Sequence, residues 1–294
     1  MLGSLLALLP VVGFVVATPT PRQNGLQTIS NCEVSGQIAL TFDDGPYIYE
    51  TDVANALNGG LGTFFLNPPS QLPSQLPSQP PSKPPSQPPS QPPSQPPSNF
   101  TSSPPSPLRA NHHQGNNYEC IYDHYQTIRD LHAAGHTLGS HTWSHADMTT
   151  LDYNGISQEL EKVETAFINI LGLKPLYFRP PYGSINDLAL QVLADRGYKK
   201  VFLWSDDIGD ANGESVSYSD GVYWNIINDY PNPHLVLDHS TIQTTSSEVL
   251  PWAVPQLQSK GYQLVAVDTC LGANGEWPYE WVGNPGNPDS SWTC

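Results

Sequence analysis

Short apolar runs alternate with amphipathic stretches over most of the chain. Gln37–Phe42, Gly62–Leu66, Thr137–Ser140, Leu176–Phe178, Lys200–Trp204, Leu235–Asp238 and Gln263–Val267 read as strands. Helical stretches lie between them. The clearest places Ile156, Leu160, Val163, Phe167 and Ile170 at steps of three and four, one apolar face of a helix. Ile121–Ala134, Ile185–Arg196 and Ser246–Lys260 are further predicted helices. Nearly continuous apolar strands alternating with helices predict an α/β fold, a parallel sheet covered by helices.

Two stretches break the pattern. Leu2–Val16 is almost wholly apolar and is followed by Ala17, with Pro10 inside it. It is shorter than the roughly 20 residues of a bilayer span and reads as a secretory signal over residues 1–17. Nothing later in the sequence is apolar for long enough to predict a membrane helix, so no membrane partner is expected. The second stretch runs from Pro68 to Pro107 and repeats Pro-Pro-Ser-Gln, with Lys83 as its one charge; it holds 17 of the 31 prolines. Paired prolines favour an extended polyproline spacer or a disordered loop. The sole N-glycosylation sequon, Asn99-Phe-Thr101, lies inside it. The expected organisation is a signal over 1–17, an N-terminal segment over 18–31, a core domain over 32–270 interrupted by 68–107, and a tail over 271–294. Without the signal and the insertion 237 residues remain, close to the length of one (β/α) barrel, about 250 residues.

Composition narrows the function. The 27 acidic side chains outnumber the 11 basic ones, a net charge of −16, so the surface repels phosphate backbones and a nucleic-acid partner is not expected. The four cysteines, an even number in a secreted chain, predict two disulfides. Three connectivities are open. Cys32 and Cys270 flank the first and last predicted strands, which favours their pairing and leaves Cys120 with Cys294.

Chemically capable side chains recur just past the predicted strands: Asp43 and Asp44, then His141 and His145, then Arg179 and Tyr182, then Asp207 and Asp210, then His239. In a parallel α/β barrel these positions converge on one face. Two histidines at i, i+4 on one side of a helical turn are able to share a metal ion. Two histidines and one carboxylate leave coordination positions open for water and substrate, and a second carboxylate alongside is placed to take the water's proton. The remaining histidines read otherwise: His112, His113, His124 and His132 as solvated, His136 as opening a strand, His234 as structural.

Thr41-Phe-Asp-Asp-Gly-Pro46, Ser140-His-Thr-Trp-Ser-His145, Phe178-Arg-Pro-Pro-Tyr-Gly183, Trp204-Ser-Asp-Asp-Ile-Gly-Asp210 and Leu237-Asp-His239 follow one another in that order. This set closely resembles the polysaccharide deacetylases, carbohydrate esterase family 4, and most of all the secreted fungal chitin deacetylases. The resemblance runs from about Cys32 to Cys270 and skips the insertion. It implies a distorted (β/α) barrel and a secreted or cell-wall-associated monomer. The activity it implies is metal-dependent hydrolysis of N-acetyl groups on chitin, giving chitosan and acetate. An O-acetyl xylan esterase, or a deacetylase of another N-acetylated glycan, would use the same site. The rival of another class is a non-catalytic wall- or chitin-binding protein.

Carried across motif by motif, the resemblance makes Asp44, His141 and His145 ligands of one divalent metal, zinc in most of the family, with cobalt or another ion as alternatives. Asp43 becomes the general base, held by Arg179. His239 becomes the general acid, oriented by Asp210, with Asp207 as a second partner. The Tyr182 backbone N–H would hold the oxyanion, and Trp143, Tyr182 and Leu237 would contact substrate. The sequence departs from the family at Ala211, where a tryptophan usually floors the pocket for the acetyl methyl group.

Overall fold

The computed structural model describes residues 26–67 and 119–294. The expected leader, the proline-rich insertion, Asn99 and the His112-His113 pair lie outside the described residues. The strands are β1 (Gln27–Ile29), β2 (Gln37–Asp43), β3 (Thr63–Leu66), β4 (Thr137–Ser140), β5 (Leu173–Pro175), β6 (Tyr177–Phe178), β7 (Lys200–Phe202), β8 (Asp206–Asp207), β9 (His234–His239), β10 (Gln263–Leu264) and β11 (Tyr279–Trp281). The helices are α1 (Glu50–Ala56), α2 (Tyr125–Ala133), α3 (Tyr153–Leu171), α4 (Asp187–Asp195), α5 (Val216–Asn228), α6 (Leu250–Lys260) and α7 (Val267–Cys270).

The main sheet runs β1-β7-β6-β4-β3-β2-β9-β8, and each neighbouring pair is parallel. β10 adds to the start of β2, beside Gln37 and Ile38, while β3 pairs with its end over Thr41–Asp43. Among the described residues no ladder joins β1 to β8, so the sheet is a barrel left open. That is the distorted (β/α) barrel expected from the sequence. Because all ladders of this main sheet are parallel, β2, β4, β6 and β9 end on one face, at Asp43, Ser140, Phe178 and His239.

The helices cover the sheet with the faces their periodicity dictates. Ile156, Leu160, Val163, Phe167 and Ile170 of α3 are all buried against it. The Asp152 side chain accepts from the Gly155 N–H at 2.8 Å to start this helix, and Gly172 ends it at φ 73°, a left-handed conformation glycine adopts without a Cβ penalty. His132, expected in solvent, packs edge-on against Tyr279.

The packed body reaches past residues 32–270 at both ends. β1 precedes Cys32 and pairs with β7. β11 follows Cys270 and pairs antiparallel with β5, and Trp292 stacks on Tyr122 and Tyr125. Disulfides join Cys32 to Cys270 and Cys120 to Cys294. No helix among the described residues is long and apolar enough to cross a membrane.

Candidate metal centre

Strand register builds the first half of the site. Asp43 ends β2 opposite His239 on β9, with Phe65 of β3 on its other side. Neighbouring strands lie about 4.8 Å apart, so an acid and a histidine distant in sequence become adjacent. Beyond β2 the chain turns through Asp44 at φ 70°. His141 continues from β4, its N–H donating to the Leu66 carbonyl at 3.0 Å, and Arg179 continues from β6, its N–H donating to the Ser140 carbonyl at 3.0 Å.

His141 and His145 do not share a helical turn. Thr142 and His145 take φ of 66° and 55°, which no right-handed helix allows, and the loop instead folds both rings inward with centroids 5.0 Å apart. Asp44, Thr142, His145 and Tyr182 account for four of the five non-glycine residues at positive φ among the described residues. Each such conformation costs about 1–3 kcal/mol, and these four are held by surrounding contacts. The Trp143 and Ser144 N–H groups donate to the Glu159 carboxylate of α3 at 3.0 and 2.7 Å, and the Ser144 hydroxyl donates to it at 3.0 Å. The Asn67 side-chain amide donates to Asp44 Oδ1 at 3.1 Å. Sequence reasoning misses Glu159 and Asn67, because nothing local to them marks these long-range bonds.

One carboxylate oxygen of Asp44 and one ring nitrogen from each of His141 and His145 lie within 4.8 Å of one another, all buried. His141 Nδ1 is 2.7 Å from the Arg179 carbonyl oxygen and therefore carries the ring hydrogen. Its Nε2, 3.6 Å from Asp44 Oδ1, is then the ring nitrogen left to ligate. Two imidazole nitrogens and a carboxylate oxygen converging on one point are a donor set that fits a divalent metal. Burial first, and His141 second, hold His145 down to about 4, which leaves it as the neutral imidazole that ligation needs. Burial alone would raise Asp44, but the three neighbouring histidines hold it below the usual carboxylate range.

Asp43 flanks this cluster, its Oδ2 3.7 Å from His141 Nε2. Arg179, with no exposed surface, donates to Asp43 Oδ1 at 2.9 Å, to the Thr41 hydroxyl oxygen at 2.6 Å and to the Leu203 carbonyl at 2.8 Å. Its guanidinium also lies 4.4 Å over the Phe65 ring.

On the far side, His239 Nδ1 donates to Asp210 Oδ1 at 2.8 Å. Asp210 Oδ2 accepts from the His239 N–H at 2.9 Å and the Thr245 hydroxyl at 2.7 Å. Burial opposes a charge on His239, but Asp210, then Asp44 and Asp43, outweigh it and push the imidazole up to about 10. Asp207 makes no bond to His239; its Oδ1 accepts from the Gly209 N–H at 2.8 Å.

Asp43, Asp44, His141, His145 and His239 line one cavity of about 340 Å³, walled further by Tyr182, Trp204, Asp207, Leu237, Ala211 and Asn212. The Tyr182 hydroxyl lies 3.1 Å from His145 Nδ1. Trp143 is not in this cavity. It faces a separate groove with Tyr122 and Lys162, whose ammonium sits 5.8 Å over the indole. Trp204 is an aromatic wall of the cavity beside the His/His/Asp cluster; in the sequence it is one aromatic among several.

Residues 110–201 match the family model described as polysaccharide deacetylase. A chitin deacetylase of Pestalotiopsis sp is 32% identical over 291 residues, 94% of this chain and 79% of the relative. The chain belongs to the polysaccharide deacetylase family. A chitin deacetylase of Arthroderma benhamiae is 28% identical over 83% of this chain, which spans only 54% of that longer relative. The structure of the chitin deacetylase from the fungal pathogen Colletotrichum lindemuthianum superposes with a TM-score of 0.65 at 26% identity, over 86% of this chain and 95% of that one. The chain is thus a polysaccharide deacetylase with the barrel of that family and a His/His/Asp cluster in its cavity.

Proposed function

We propose that the protein is a secreted enzyme that hydrolyses the N-acetyl groups of N-acetylglucosamine units in chitin, giving chitosan and acetate. The observation that carries this is the order of groups across one cavity: Asp43 on Arg179, the Asp44, His141 and His145 cluster, and His239 on Asp210. An amide needs a base for water, a stabilised oxyanion and an acid for the departing amine.

A divalent ion held by Asp44, His141 and His145, with zinc suiting the donor set, would supply Lewis acidity to the acetamide carbonyl and acidify the attacking water. Asp43 accepts the proton of that water as its oxygen bonds to the carbonyl carbon. Arg179 keeps the carboxylate oriented. The backbone N–H of Tyr182 donates to the oxyanion. His239, protonated through Asp210, gives its proton to the nitrogen as the C–N bond breaks, leaving acetate and a free amine. Leu237 and Trp204 give the acetyl methyl group apolar walls.

The test is acetate release from chitin oligomers and from acetylated xylan, each with and without a chelator. Chelator-sensitive release from chitin oligomers alone supports the reading. Release from xylan alone would make the enzyme an O-acetyl esterase, and no release from either would favour a wall-binding role.

A further inference from the structure

Glu50 has no part in the scheme above, yet it is a carboxylic acid with no exposed surface. It opens α1, and its two oxygens reach the two segments that carry the proposed base and acid. Oε2 accepts from the Tyr47 N–H. Oε1 lies 2.7 Å from the Ser240 hydroxyl oxygen, and Ser240 is the residue after His239. The same hydroxyl lies 3.5 Å from the backbone carbonyl oxygen of Asp43. Gly45, the residue after Asp44, makes room for this: a Cβ there would stand 2.2 Å from Glu50 Oε1 and 3.0 Å from Ser240 Oγ. The turn after Asp44 is therefore wrapped around the carboxyl group.

Burying a carboxyl group is costly unless its hydrogen bonds are complete. Val53 and Leu57 already give this helix its apolar contact with the core, so packing alone does not call for an acid here. We propose that Glu50 is a positioning residue for the deacetylation, fixing the turn that carries Asp43 and Asp44 against the segment that carries His239. The proposal rests on the deacetylase reading for its kinetic part only.

Geometry also says which replacement should work. Burial pushes the Glu50 carboxyl up to about 8 against the smaller, opposing effect of its hydrogen bonds to Ser240 and Tyr47, so the neutral acid prevails at neutral pH. The Tyr47 N–H has only a hydrogen to give, so the acid hydrogen sits on Oε1 and goes to Ser240 Oγ. The serine hydrogen then turns to the Asp43 carbonyl. A glutamine reproduces this pattern, with its oxygen toward Tyr47 and its amide hydrogens toward Ser240.

The experiment compares Glu50→Ala, Glu50→Gln and Ser240→Ala with the wild-type full-length chain. Its readouts are the kinetics on chitin oligomers, the thermal melt, and calorimetric titration of zinc into metal-free protein. Glu50→Ala should lose about 10²-fold in kcat with KM changed less than about threefold. Its zinc affinity should fall about tenfold, since Asp44 sits on the turn that is freed. Glu50→Gln should stay within about threefold of wild type in every readout. A folded Glu50→Ala protein with wild-type kcat and zinc affinity overturns the proposal, and so does a Glu50→Gln protein as impaired as the alanine variant. Should Glu50→Ala fail to fold, Ser240→Ala decides: a normal melt with kcat lowered about tenfold supports the link, and full kcat refutes it. Should the wild type release no acetate, the functional reading fails, and the zinc titration alone judges Glu50.

Discussion

Asp210 keeps the proton on His239, and the sign of that coupling fixes two outcomes. The His239 pKa is raised to about 10 in the folded chain, so the pair contributes stability fully below the unfolded value of about 6.5 and loses it as pH rises through the folded value. Asp210→Asn removes the charge that does most to raise it. The alkaline limb of kcat should then move down by at least about one pH unit, with the unfolding free energy falling more at pH 6 than above pH 10. An unmoved alkaline limb would mean that another group supplies the proton. At the metal cluster, His145→Ala should lose bound zinc and turnover together, as measured by elemental analysis and acetate release. Asp43→Asn should keep the zinc and lose about 10²-fold or more in kcat. If Asp43→Asn lost the zinc while Asp44→Asn kept it, the two acids would exchange roles.

Helix α3 has two duties on two faces, and mutations should separate them. Phe167 is buried in the core, so Phe167→Ala should cost about 3–5 kcal/mol in unfolding free energy while the folded fraction keeps its kcat. Glu159 instead holds the Trp143 and Ser144 N–H groups. Glu159→Ala should leave the melt nearly unchanged and weaken zinc binding about tenfold or more, read by calorimetry. This division also marks what is legible in the sequence. The α3 stripe, the strands β2, β4 and β9, and the residues just past them are visible because periodicity and strand ends are local signals. Helix α1 is not, being seven residues long, and α5 is not, because Gly221 and several β-branched and aromatic residues dilute its helical signal. β8 is two aspartates paired with Val236 and Leu237, and no apolar run announces it. The His141–His145 spacing suggests a helical turn, whereas Glu159 stabilises a left-handed loop that spacing cannot reveal. Trp143 lies between His141 and His145 in the sequence, which suggests contact with substrate, but its ring lines a separate groove.

At the scale of the whole molecule, the proline-rich repeat joins two ends that the folded body already fixes. The chain leaves at Asn67, whose N–H donates to the Gly45 carbonyl at 2.7 Å and whose side chain holds Asp44. It returns at Glu119, one residue before the Cys120–Cys294 disulfide. Both anchors have partners among the described residues, and the sequence of Pro68–Pro107 offers Leu72 and Leu76 as its aliphatic side chains and many prolines that donate no backbone hydrogen bond. Loop closure costs only about 0.6 kcal/mol for each doubling of length, so shortening the connection gains little and loses little. Replacing Pro68–Pro107 with a short Gly/Ser loop, with Asn67 retained, should therefore leave the melting temperature unchanged or slightly raised. Turnover of short chitin oligomers should persist at the wild-type rate. Retention on insoluble chitin is where the shortened protein should fall behind, if the repeat serves the polymer rather than the chemistry. A shortened chain that unfolds, or one that folds but no longer turns over a short oligomer, would place the repeat inside the working site and refute this view of it.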